Sequence, residues 1–111
     1  MIFKKLPKDF KRKWITALRS GKFKQGQKTL FNKEENTYCC LGVAAEICGV
    51  KNLQKSNYIR YKKDTPLRGV RLVPKQLRGN SRNLLVYELS NMNDSTNQSF
   101  KQIANWIEKN L

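Results

Sequence analysis

The run Tyr38-Cys39-Cys40-Leu41-Gly42-Val43-Ala44-Ala45-Glu46-Ile47-Cys48-Gly49-Val50 decides the fold. It is the only long stretch that is apolar on every side, and Glu46 is its only charge. A segment hydrophobic all round is stable only when other elements cover all of its faces. We read residues 39–48 as a short central helix stopped by Gly49. Glu46 then needs a partner, and the expectation is an ion pair with a neighbouring Lys or Arg. The other reading is a helix face that opens onto a ligand site.

Outward from this run, the neighbouring segments are amphipathic or strongly basic. In residues 1–20, Phe3, Leu6, Phe10, Trp14, Ala17 and Leu18 recur at helical spacing. Pro7 suits a first helical turn and Gly21 a stop, which predicts a helix of roughly three turns packed on the central run. Thr29-Leu30-Phe31 and Thr37-Tyr38 flank the polar turn Asn32–Asn36, a small hairpin whose second strand runs into the central helix. Residues 51–82 are irregular, punctuated by Pro66, Gly69, Pro74 and Gly79. Tyr58-Ile59-Arg60-Tyr61 and Val70-Arg71-Leu72-Val73 alternate in part and are read as short strands. Leu84, Leu85, Leu89 and Met92 resume helical spacing over residues 83–92. Ser99 and Gln102 then form a capping box before a final helical stripe of Phe100, Ile103, Ala104, Ile107 and Leu111. The expected fold is α+β and mainly helical, one small domain over residues 1–111. It has a buried central helix, two or three amphipathic helices and a short β-hairpin.

The residues available for chemistry exclude more than they suggest. The chain has 3 cysteines, all inside the central run, and no histidine. An odd count with two adjacent members argues against a disulfide framework, and small buried thiols in a reducing compartment are expected. Without histidine there is no Ser-His or Cys-His dyad and no mixed zinc site, and no metal or other cofactor is expected. No phosphate-binding or dinucleotide-binding glycine pattern occurs. Asn91, Asn93, Ser95 and Asn97 alternate as in a calcium loop, but Thr96 and Gln102 stand where glycine and glutamate are needed. Two features keep an enzyme in view. Cys39 or Cys40 sits at a helix N-terminus, where a thiolate is stabilised, and Asp94 could orient or accept a proton. The structural alternative is core cysteines, with Asn93 and Asp94 satisfying backbone donors before the last helix.

Charge is the strongest functional signal. The 111 residues carry 23 Lys+Arg against 8 Asp+Glu, a net charge of +15. It is concentrated in residues 1–28 and 51–82, each +9, while 29–50 and 83–111 are close to neutral. Two such blocks folded side by side would make one positive face and focus potential on a polyanion. The candidate nucleic-acid-binding residues are Lys11, Arg12, Lys22, Lys24 and Lys28 from the first block. Arg60, Lys62, Lys63, Arg68 and Arg71 come from the second, with Tyr61 as a stacking group. Tyr58 and Tyr61 read equally well as half-buried strand residues, whereas Phe10 and Trp14 belong to the core. The N-terminal apolar stripe is needed for that core, so membrane binding is not expected, and no run approaches a membrane span. With no signal-peptide core after the basic start, a cytoplasmic protein is expected.

The order of motifs adds a setting. Trp14…Ala17-Leu18-Arg19-Ser20-Gly21-Lys22-Phe23-Lys24-Gln25 is followed by Tyr38-Cys39-Cys40-Leu41-Gly42-Val43. Met92-Asn93-Asp94 and Ser99-Phe100…Ile103-Ala104…Trp106-Ile107-Glu108 come after. This series resembles a group of small proteins of tailed phages and bacterial prophages, over most of residues 14–111. The resemblance implies a phage accessory protein in the host cytoplasm and transfers no catalytic residue. The leading expectation is a non-enzymatic binder of RNA, DNA or a host nucleoprotein complex. The alternatives are a counter-defence inhibitor of a host nuclease or guide-RNA (CRISPR-type) complex, a protein that sequesters a nucleotide signal, and a cysteine-dependent enzyme.

Overall fold

The structure, a computed structural model, describes residues 2–60 and 67–111. Its elements are α1 (Lys8–Arg19), β1 (Phe31–Asn32), β2 (Thr37–Tyr38), α2 (Cys40–Ile47), α3 (Leu84–Asp94) and α4 (Phe100–Asn110), with single 3₁₀ turns in the segment between α2 and α3. This is an α+β fold, mainly helical, with four helices and one two-stranded antiparallel hairpin among the described residues.

The all-apolar run forms the central helix. Every residue from Cys40 to Ala45 in α2 is buried. Cys39 caps its start, the Sγ accepting from the Gly42 N–H at 3.4 Å. Gly42 is required by contact, because a Cβ there would collide with the Leu30 carbonyl. The helix ends at Gly49 with φ +82°. Val50 N–H donates to the Ala45 carbonyl at 3.1 Å and Gly49 N–H to that of Glu46 at 3.1 Å, the paired bonds of a left-handed C-terminal stop.

α1 and α4 pack against each other, and α2 lies against α1 and α3. Trp14 is fully buried, and its indole N–H donates to the Cys40 carbonyl at 3.0 Å, tying α1 to the start of α2. The helix begins at Lys8, so Phe3 and Leu6 precede it, although they share its apolar spacing. Pro7 has an extended backbone, and Leu6 N–H donates instead to the Leu111 carbonyl at 3.2 Å. The buried side of α3 is Leu85, Val86, Leu89, Met92 and Asn93, whereas Leu84, expected on that stripe, is 57% exposed. Both arms of the Ser99–Gln102 capping box are formed at the start of α4.

The hairpin pairs Phe31 with Tyr38 and Asn32 with Thr37. Asn32 Oδ1 accepts from the N–H groups of Glu34 and Glu35 and folds the turn. The strand expected at residues 70–73 does not form, nor do residues 58–60 of the one expected at 58–61 take strand structure. Val70–Leu72 is a 3₁₀ turn entered from Gly69 at φ +85°, and residues 58–60 are a bend and coil, Tyr61 lying outside the described residues. A strand needs an edge to pair with, and the backbone of residues 70–73 bonds locally, Leu72 N–H to Gly69 and Val73 N–H to Val70. The segment is held by single apolar anchors instead: Val50, Leu53, Ile59, Leu67, Val73 and Leu77 are all buried. Among the described residues no helix is long and apolar enough to cross a membrane.

Candidate nucleic-acid interface

The strand-to-helix junction at Cys39 and Cys40 is closed to chemistry by burial. Both thiols are buried and free. Burial pushes the Cys39 thiol up to about 12 despite the Gly42 N–H on its sulfur. Cys40 is raised as well, by burial first and then by neighbouring Cys39 and Asp94. Desolvation outweighs the helix N-terminus. Cys48 is half-buried and also raised, with nearby Lys13 opposing the shift. Among the described residues no cluster of His, Cys, Asp and Glu can hold a metal ion.

Beneath that junction the quoted motifs meet at one side chain, Asn93, which is 1% exposed. Its Oδ1 accepts from Gln25 Nε2 at 3.0 Å and from the Cys40 N–H at 3.2 Å. Its Nδ2 donates to the Gly26 carbonyl at 2.8 Å and to Asp94 Oδ1 at 2.8 Å. Gln25 extends the network, donating to the Gln98 carbonyl at 2.7 Å and accepting from Phe100 N–H at 3.0 Å. Asp94 Oδ1 also accepts from Lys28 N–H at 3.0 Å, where Lys28 holds φ +73°. Asn93 and Asp94 thus serve backbone donors, as the structural reading expected. Every hydrogen-bonding position of the Asn93 amide is occupied, which leaves it none to offer a ligand.

Beside this knot the surface opens into a polar cleft of about 540 Å³, between the 24–27 loop, the hairpin and the turn joining α3 to α4. Lys24 and Glu35 both line it and do not pair with each other, since the described ion pairs are Arg12–Asp9 and Arg19–Glu108.

A second depression, of about 360 Å³, follows the α1/α4 seam and is lined by Lys8, Lys11, Arg12, Ile15, Thr16, Arg19 and Glu108. The four cations fall on one side of α1 because residues three, four and eleven apart nearly eclipse on a helix. Lys11 Nζ donates to the Glu108 carbonyl at 3.1 Å. Arg19 donates to Asn105 Oδ1 at 2.8 Å and to the Glu108 carboxylate at 3.3 Å. That guanidinium, by hydrogen bond and then by charge, holds the Glu108 carboxyl below the ordinary range.

The expected site residues therefore lie in three places. Lys11 and Arg12 share the seam with Lys8 and Arg19, two cations that were not among the candidates. Lys22, Lys24 and Lys28 are exposed on the loop that leads from α1 to the hairpin. Arg68 and Arg71 are exposed on the irregular segment, and the half-buried Arg60 sets its guanidinium 5.8 Å from the Tyr58 ring centre. Tyr61, Lys62 and Lys63 lie outside the described residues. The two basic blocks touch, since Gln76 Nε2 donates to the Lys5 carbonyl at 3.1 Å. Glu46 is exposed and, among the described residues, forms no ion pair, so the expected buried partner is neither present nor needed. Its charge acts on Tyr38 instead, adding to burial in raising that hydroxyl.

No curated protein and no solved structure matches this chain. The model of the family described as Domain of unknown function (DUF8296) matches residues 6–79, which hold α1, the hairpin, α2 and most of the irregular basic segment. That match covers roughly two thirds of the 111 residues, and the chain belongs to this family.

Proposed function

We propose that this protein is a non-enzymatic binder of nucleic acid, acting as a phage-type accessory protein in the cytoplasm of a bacterial host. The observation that carries the reading is uncompensated charge: +15 in 111 residues, with two ion pairs among the described residues. The α1/α4 seam supplies a groove in which Lys8, Lys11, Arg12 and Arg19 outweigh the single Glu108, and such a net-positive groove focuses potential better than scattered lysines do. Lys22 and Lys24 continue the positive track past the end of α1.

Fluorescence anisotropy with a labelled oligonucleotide at several salt concentrations tests this reading. Affinity falls as salt rises, with a log–log slope of about 0.7 per phosphate neutralised on a single strand and about 0.9 on a duplex. Replacing Lys8 and Arg12 by Gln lowers the slope by about one to two and weakens binding to all sequences alike. Absence of binding at low salt, or binding indifferent to salt, overturns it.

A further inference from the structure

The polar cleft beside Asn93 has a different character from the seam. Among the described residues, the Glu35 carboxylate and the Lys24 ammonium have no hydrogen-bond partner, and neither do the Nδ2 groups of Asn32 and Asn97 or the Oε1 atoms of Gln27 and Gln98. The cleft thus offers spare donors and spare acceptors around about 540 Å³, enough for a flat heterocycle. A phosphate would use the donors and be repelled by Glu35. A nucleobase edge, which presents both kinds of group, would use both.

The seam and the cleft are also continuous. α1 runs antiparallel to α4, so contacts descend from Lys11 on Glu108, through Arg19 on Asn105, to Gln25 on Phe100 and Gln98. A strand laid along the seam with its phosphates on Lys8, Arg12 and Arg19 would arrive at the cleft mouth beside Lys24.

We infer that the cleft receives one unstacked guanine of a single strand, an inference that rests on the nucleic-acid reading above. Among the bases, guanine alone places two adjacent donors, N1–H and the N2 amino group, beside an acceptor, O6. A carboxylate takes both donors, one on each oxygen, which makes Glu35 the reading group. Lys24 or a neighbouring amide N–H serves O6. A duplex hides this edge in pairing, so the cleft selects for unpaired strands.

The test compares a labelled oligouridine carrying one central guanosine with the same strand carrying adenosine, for the wild-type protein and for Glu35→Gln. Glu35 is exposed at the hairpin tip, so the near-isosteric change leaves the fold intact. The wild type binds the guanosine strand about tenfold more tightly, from one good bidentate contact. Glu35→Gln brings the two strands within twofold of each other, because an amide turns a donor toward a donor. Removing a negative charge would by itself strengthen binding of any polyanion, so a selective loss on the guanosine strand reports base reading rather than field. Equal wild-type binding of both strands with steep salt dependence overturns the cleft inference and leaves the polyanion reading standing. A preference that survives in Glu35→Gln also overturns it. Binding to neither strand at low salt removes both.

Discussion

Asn93 and Asn97 stand four residues apart at the end of α3 and do opposite things. The Asn93 amide is buried and uses every hydrogen-bonding position on its own chain, on Gln25, Gly26, Cys40 and Asp94. Asn97 is exposed at φ +52°, accepts from Gln27 and leaves its own N–H groups to the cleft. One amide is a fastening and the other is a surface. The contrast teaches that a polar side chain at a motif is judged by its unspent valence. By that measure the cysteine motif and Asn93 are architecture, and the cleft rim beside them is available for recognition.

The sharpest way to break the comparison is to find chemistry on the closed side. A thiol raised to about 12 has, near neutral pH, a thiolate fraction about a thousandfold below that of an ordinary cysteine. A thiol-reactive probe added to the folded protein therefore labels the half-buried Cys48 first and leaves Cys39 and Cys40 unmodified, while all three react in denaturant. Rapid labelling of Cys39 or Cys40 in the folded state, located by peptide mass, would reopen the junction as a nucleophilic site.

The next test sets the fastening against the rim. Asn93→Ala strands the Cys40 N–H, the Gly26 carbonyl and the Gln25 amide, at a cost of about 3 kcal/mol. Thermal unfolding should show it as a fall in Tm of roughly 15 °C. Glu35→Gln, on the rim, should stay within about 0.5 kcal/mol of wild type. Comparable losses in the two variants would erase the distinction drawn here.

How far all this was legible in the sequence differs by element. The central helix was, because a run apolar on every side has only one place to go. α4 was legible from Ser99 and Gln102, and the hairpin from its Asn32–Asn36 turn. The strand read at Val70–Val73 was not there, nor any strand over the described residues 58–60, since alternation such as Val-Arg-Leu-Val describes one strand and says nothing of a partner edge. Gly69 at positive φ and Pro74 set the backbone of that stretch locally instead. The basic blocks were plain as composition, and helical spacing alone groups Lys8 and Arg19 with Lys11 and Arg12, but that this side of α1 borders a groove depends on α4 lying antiparallel beside it. The cleft was out of reach for the same reason. Its walls come from residues 24–37 and 93–98, and hydrogen bonds between Gln25, Gly26 and Gln27 on one side and Asn93, Asn97 and Gln98 on the other bring them together.

The smallest expected effect lies at the far end of the seam, where Arg19 meets Glu108. The Glu108 carboxyl titrates below its ordinary 4.5, chiefly through the Arg19 hydrogen bond and then its charge. Because the folded value is the lower one, the pair stabilises the fold at pH above the unfolded carboxyl's range, and that contribution disappears as pH falls through the folded value. The group is fully exposed, so solvent screens the pair and the stability change is slight. A residue-resolved NMR titration is the suitable readout: Arg19→Gln returns the Glu108 midpoint upward toward 4.5, and added salt does so in part for the wild type. A single strand bound along the seam shifts the midpoint in the same direction as loss of Arg19. Its phosphates compete for the guanidinium and add negative charge beside Glu108, so the midpoint rises in the complex even with Arg19 in place. A Glu108 midpoint unmoved by saturating oligonucleotide would put the strand elsewhere and separate the seam from the cleft.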